Sequence, residues 1–303
     1  MASLKGIIAY PVTPFVPDQS AIDEQAFREV TERLLATGAA AIAFLGSTGE
    51  SAYLSDEEWR RSARLGVEIV NGRVPVIVGI SELTSAAAVA KARYARDIGV
   101  DMLMVIPISY WKLTEDEIFR HFQAISGATE LPIMVYNNPA TSGVDMAPEL
   151  LVRLVNELPT VTMIKESSGD LNRMHAIRLL SKGNIPFYNG ANHLALEALA
   201  AGAAGWCTAA PNLLDDAPAR LWAHVLAGEI DQARTLFYEL LPVLQFIVRG
   251  GLPTTVKAGL RLLGFDAGEP RLPLQPLSKA DSEVLGRHLE QAGMSLCGRE
   301  VRV

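Results

Sequence analysis

Residues 131–166 read LPIMVYNNPATSGVDMAPELLVRLVNELPTVTMIKE. Two short runs, 131–137 (LPIMVYN) and 161–166 (VTMIKE), are near-continuously apolar. Such runs fit strands covered on both faces, as in a parallel sheet. Between them Pro148 opens ELLVRLVNEL, a first-turn proline ahead of a helix. The unit is therefore strand, helix, strand, and it recurs in both directions. Upstream lie 6–12 (GIIAYPV), 39–46 (AAAIAFLG), 74–80 (VPVIVGI) and 101–107 (DMLMVIP); downstream lie 185–190 (IPFYNG) and 204–209 (AGWCTA). The stretches between carry helix signals. Ser55 precedes DEEWRRSARLGVEIV with Glu58 three residues on, a capping box. Thr84 opens a run that ends at Gly99, and Thr114 opens EDEIFRHFQAIS. Eight strand–helix units predict an α/β fold, a (β/α)8 TIM barrel. The rival doubly wound sheet is disfavoured by the regular repeat and the missing GxGxxG fingerprint.

Beyond residue 228 the alternation stops. Residues 230–248, 254–263 and 278–292 read as helices with no strand between them, and FDAGEPRLPLQPL is extended and Pro-rich. The expected organisation is a barrel over 1–228 and a C-terminal helical region, 229–303, packed on it. Across the 303 residues, 49% are hydrophobic and 20% charged, which excludes a disordered chain. Net charge is -7 with no basic run, which argues against a nucleic-acid partner. The opening MASLKGIIAYPVTPF has too short an apolar stretch for a signal peptide, and no window is long enough for a membrane helix. Two cysteines, Cys207 and Cys297, build no disulfide framework. The expectation is a cytoplasmic protein with no membrane partner.

Catalytic residues of such barrels sit at the C-terminal ends of strands. Among the lysines only Lys165 directly follows an apolar strand run, VTMI. There burial disfavours the ammonium and favours the neutral amine that attacks a carbonyl. Read structurally, the same lysine would reach solvent or pair with Glu166. Tyr136 ends the preceding strand and is placed to shuttle protons; read structurally, it packs its ring at the rim. Residues 46–49 (GSTG) offer backbone amides and two hydroxyls to a carboxylate, though such turns are common.

GSTGE, YNNP and KESSGD, in this order and spacing, resemble the dihydrodipicolinate synthase / N-acetylneuraminate lyase family of pyruvate-dependent class I aldolases. The resemblance extends from GIIAYPVTPF to VKAGLRLLGF and RLPLQPL. It implies that Lys165 forms a Schiff base with a 2-keto acid and that Tyr136 shuttles the protons. It implies that the Ser47 and Thr48 amides bind the carboxylate, assisted by the Thr48 hydroxyl, and that Ser47 relays protons to Tyr136. Tyr110 would be a second tyrosine of the relay, contributed across a subunit contact, and Gly190 and Cys207 would line the pocket through backbone groups. The covalent lysine implies no cofactor, and a homotetramer, a dimer of dimers, is expected.

Departures from the family pattern bear on the second substrate. Thr141 stands where the synthases carry an arginine, the segment after the fourth strand reads ISYW with one tyrosine, and GANH (Ala191, Asn192, His193) lacks the acidic residues of the sialic-acid lyases. Three activities stay open: an aldol lyase or synthase, a keto-deoxy sugar acid dehydratase or deaminase using the same lysine, and a non-catalytic 2-keto-acid-binding barrel. No His or Cys spacing suggests a metal site. His193 reads as a helix-start surface residue and Cys207 as an inert buried thiol. Glu50 and Glu166 read as structural hydrogen-bond partners at the rim.

Overall fold

The computed structural model describes residues 4–297. Residues 1–3 of the expected barrel segment and 298–303 of the appended region lie outside those described. Eight strands close a parallel barrel in chain order: β1 (Gly6–Ala9), β2 (Ala41–Phe44), β3 (Val76–Gly79), β4 (Met102–Val105), β5 (Ile133–Asn137), β6 (Val161–Glu166), β7 (Phe187–Asn189) and β8 (Gly205–Thr208). Each lies inside one of the apolar runs read from sequence. β1 pairs with both β2 and β8, so no edge is left open.

The helices α1 (Glu24–Leu35), α2 (Asp56–Val70), α3 (Ser85–Asp97), α4 (Glu115–Ser126), α5 (Pro139–Ser142), α6 (Pro148–Glu157), α7 (Leu171–Leu180), α8 (Ala195–Ala200), α9 (Pro211–Leu214) and α10 (Ala217–Leu226) alternate with or follow the strands. α5 and α9 are one-turn pieces that the sequence reading did not separate from their loops. The capping boxes at Ser55–Glu58 and Thr114–Glu117 form, and Thr84 caps α3. Three helices complete the chain: α11 (Ile230–Arg249), α12 (Leu252–Leu262) and α13 (Lys279–Gln291). Their apolar faces, with Phe237, Leu244, Val256, Leu260 and Leu285, join the layer between strands and helices. No helix among the described residues is long and apolar enough to cross a membrane.

Alternation along each strand divides the interior into two cores. Outward side chains pack under the helices in one continuous cluster. Inward ones, among them Ile8, Tyr10, Ile77, Met104, Met134, Tyr136, Met163, Tyr188 and Cys207, fill the barrel. Lys165 belongs to this inward set by register.

Candidate functional site

Pairing between β5 and β6 steps from Ile133–Val161 to Met134–Met163, an extra residue on β6. That irregularity resets the alternation: Val161 faces the helices, whereas Met163 faces the barrel interior. Beyond it Tyr136 pairs with Lys165 and Asn137 with Glu166. Tyr136 and Lys165 therefore enter the barrel side by side, while Asn137 and Glu166 leave it together.

The outward pair is structural. Glu166 accepts from Asn137 Nδ2 at 3.0 Å and from the Ser168 amide at 2.6 Å, and the Asn137 side-chain oxygen accepts from the Met146 amide at 3.0 Å. Glu166 is thereby committed to the loop after β6 and not to Lys165.

Lys165 is 6% exposed. Its Nζ lies 3.7 Å from the Tyr136 ring centroid and 4.1 Å from that of Tyr10. It opens onto a cavity of about 380 Å3 lined also by Ser47, Thr48, Thr141, Ser167, Gly190 and His193, with no Asp, Glu or Arg in the lining. The Tyr136 hydroxyl accepts from Asn138 Nδ2 at 2.8 Å, which leaves its own proton free for transfer. Ser47 and Tyr136 line this cavity together, but no hydrogen bond joins them among the described residues.

After β2 the chain turns sharply, with Leu45 at φ 60 and Glu50 at φ 56. Gly49 donates to the Gly46 carbonyl at 3.1 Å, and Thr13 donates to the Gly49 carbonyl at 2.7 Å. Gly46 sits at a close approach: a Cβ there would lie 3.1 Å from the Tyr10 ring. Among the described residues the Ser47 and Thr48 amides donate to no protein acceptor, so two N–H groups stand free at the cavity wall. This is the arrangement that receives a carboxylate.

Gly190 lines the opposite turn, where a Cβ would meet Ser167 Oγ at 1.7 Å and Lys165 Cε at 2.9 Å. Its amide is taken by the Glu166 carbonyl at 2.8 Å, so what it offers the cavity is its own carbonyl. Cys207, paired with Ile8 on β8, faces the interior with its side chain; burial pushes its thiol up, and Lys165 opposes this. The thiol is buried, as its apolar run suggests. His193 stands in a short turn, Asn192–Leu194, exposed at the mouth.

Tyr110 does not reach the cavity of its own chain. It is 89% exposed, with Trp111 edge-on at 5.8 Å. A neighbouring cavity of about 330 Å3, lined also by Glu50, Ile106 and Ile108, meets the first at Ser47, Tyr136, Thr141 and Leu252. Three contributors escaped the sequence reading. Tyr10 follows Ile8 on the inward face, and Asn138 stands in the quoted YNNP, so both carried a signal. Lys257, 1% exposed and 2.7 Å from Glu50, stands on the buried face of α12 beside Thr255 and Val256, and nothing local names its distant partner.

Residues 3–292 match the model of the dihydrodipicolinate synthetase family. The 4-hydroxy-tetrahydrodipicolinate synthase of Methanopyrus kandleri is 33% identical over 96% of this chain and 97% of its own length. A solved protein from Pseudomonas aeruginosa is 52% identical, with TM-score 0.94 over 96% of this chain and all of that one. The dihydrodipicolinate synthase of Acinetobacter baumannii, solved with pyruvate, is 30% identical with TM-score 0.92, covering 97% of this chain and 100% of that one.

Proposed function

The chain belongs to the dihydrodipicolinate synthetase family and is a lyase of the class I aldolase type, and on that footing we propose how its residues divide the work. Lys165 Nζ, as the free amine, attacks the C2 carbonyl of pyruvate or another 2-keto acid. Tyr136 protonates the carbinolamine oxygen so that it leaves as water, giving the imine. Loss of a C3 proton from the imine yields the enamine, whose C3 attacks an aldehyde carbonyl. Hydrolysis then releases the product and the amine; cleavage runs the same steps backwards. The Ser47 and Thr48 amides hold the carboxylate of the keto acid, with the Thr48 hydroxyl beside them. The lysine carries the carbonyl chemistry itself, so no cofactor is assigned.

The observation that carries this reading is the register that sets Lys165 against Tyr136 in a cavity without carboxylates. Borohydride reduction in the presence of pyruvate, followed by peptide mass spectrometry, tests it. The adduct is expected on Lys165; an adduct on another lysine, or none with any 2-keto acid, overturns the assignment. A non-catalytic binding barrel is set aside by family membership together with the retained lysine and tyrosine.

The exposed Tyr110–Trp111 pair supports a homo-oligomeric working unit, a tetramer built as a dimer of dimers, in which Tyr110 serves a neighbouring copy. Mixing Tyr110→Phe subunits with Lys165→Ala subunits is expected to restore part of the activity. No recovery in verified hybrids removes that role. The free cysteines, one buried and one exposed, support a reducing, cytoplasmic setting.

A further inference from the structure

Glu50 closes the turn whose Ser47 and Thr48 amides face the cavity, and the chemistry above makes no use of it. It is 1% exposed and held in left-handed backbone. Its oxygens are engaged by segments remote in sequence: Oε1 lies 2.7 Å from Lys257 Nζ, and Oε2 accepts from the Arg271 amide at 2.7 Å. Lys257 Nζ also donates to the Glu269 carbonyl at 3.0 Å. The Arg271 guanidinium pairs with Glu58 at 2.7 Å and donates to the Gln19 carbonyl at 2.9 Å. Both cations rest on the ring of Phe15, at 4.2 and 4.1 Å from its centroid. Two residues before Phe15, Thr13 holds the Gly49 carbonyl.

Lys257 stands on α12, and the start of that helix, Gly251 and Leu252, lines the same cavity as Ser47 and Thr48. The ion pair therefore joins two walls of the site. Buried pairs contribute little net stability, because desolvation offsets their attraction. What a water-excluded pair does supply is a fixed relative placement of the groups that carry it.

We propose that Glu50 and Lys257 are positioning residues that clamp the 46–50 turn, so that the Ser47 and Thr48 amides converge on the substrate carboxylate. The inference rests on the reading of that turn as the carboxylate site. Lys165 is held separately, on β6, by the pairing with β5 and β7. Loosening the clamp therefore weakens capture of the keto acid without disabling the amine.

The test compares Glu50→Gln, Lys257→Met, the double variant and Lys257→Arg by pyruvate kinetics, borohydride trapping and thermal unfolding. Glu50→Gln keeps the side-chain shape and the acceptor for the Arg271 amide, so it remains informative if Lys257→Met does not fold. Glu50→Gln and Lys257→Met are each expected to raise KM for pyruvate about tenfold or more, with trapping at saturating pyruvate within about threefold of wild type. The double variant, free of an unpaired charge, is expected to regain thermal stability and keep the raised KM. Lys257→Arg, which retains the cation, is expected to bring KM back to within about threefold of wild type. Unchanged KM in Glu50→Gln, a double variant whose KM recovers with its stability, or a loss confined to kcat overturns the clamp. No adduct on wild-type enzyme with any 2-keto acid instead defeats the reading of the site itself, and the clamp falls with it.

Discussion

Two lysines, Lys165 and Lys257, are almost equally hidden, at 6% and 1% exposed, and their surroundings are opposite. Lys165 faces two tyrosine rings in a cavity lined by hydroxyls, amides and glycine, with no acid within it. Lys257 is met by the Glu50 carboxylate, a backbone carbonyl and a second cation nearby. Burial pulls the Lys257 ammonium below its ordinary range, and Glu50 draws it back. A buried amine matched to an acid serves structure. A buried amine set among aromatic faces with no acid beside it is left where a substrate carbonyl can reach it, as the proposed role of Lys165 requires. The lining, more than the depth, separates the two roles.

The contrast breaks most sharply at the reacting amine. Lys165→Ala is expected to cost about 10⁴-fold or more in turnover while leaving the unfolding midpoint nearly unchanged, since among the described residues no ion pair or hydrogen bond holds its Nζ. A large fall in stability would place Lys165 with Lys257 as a structural residue. Tyr136→Phe is expected to lose about 10²- to 10⁴-fold in kcat with the Schiff base still trappable at long incubation. Activity near wild type would leave proton transfer to another group.

Lys257→Met is expected to destabilise by about 3–5 kcal/mol in urea unfolding, because it strands the Glu50 carboxylate. A change under about 1 kcal/mol would mean that the buried acid finds another partner. On the neutral side of the comparison, Thr141 offers a carboxylate-bearing aldehyde no cation. Turnover of aspartate semialdehyde is therefore expected to fall about tenfold to hundredfold below that of an arginine-bearing synthase, and Thr141→Arg to recover part of it. Robust turnover by the unaltered chain would reverse this assignment.

The smallest effect concerns pH. Arg271 holds the Glu58 carboxyl below its ordinary value of 4.5. A lowered folded-state value contributes stability above the unfolded value and loses it as pH falls through the folded one. Arg271→Leu is therefore expected to lessen the acid sensitivity of unfolding below about pH 4.5, a small change because Glu58 is near the surface. An unaltered acid limb would show that other carboxylates set it.

The barrel was legible because its strands are buried on both faces and so read as short apolar runs, most of them bounded by Gly, Pro or Asn. Lys165 was legible because a lysine is out of place at the end of such a run. The way it comes to face inward was not. Strict alternation would put Val161 on the same face as Lys165, and the extra residue at the β5–β6 step breaks that phase. A local pairing irregularity leaves no mark in one strand's composition. Glu50 read correctly as a rim hydrogen-bond partner, but its partners did not: Arg271 is 221 residues away, and nothing local in either segment names the other. Tyr110, which the resemblance places in the relay across a subunit contact, stands in solvent beside Trp111 in the single chain.

The inner core has a further consequence. Met102, Met104, Met134 and Met163 line the barrel together with Cys207, so half of the chain's eight methionines lie there. The Tyr10 hydroxyl donates to Met104 Sδ at 3.1 Å. Unbranched thioethers are polarisable and change rotamer at little cost, whereas branched aliphatic side chains hold one shape. The floor beneath Lys165 is therefore compliant upholstery inside a stiff frame.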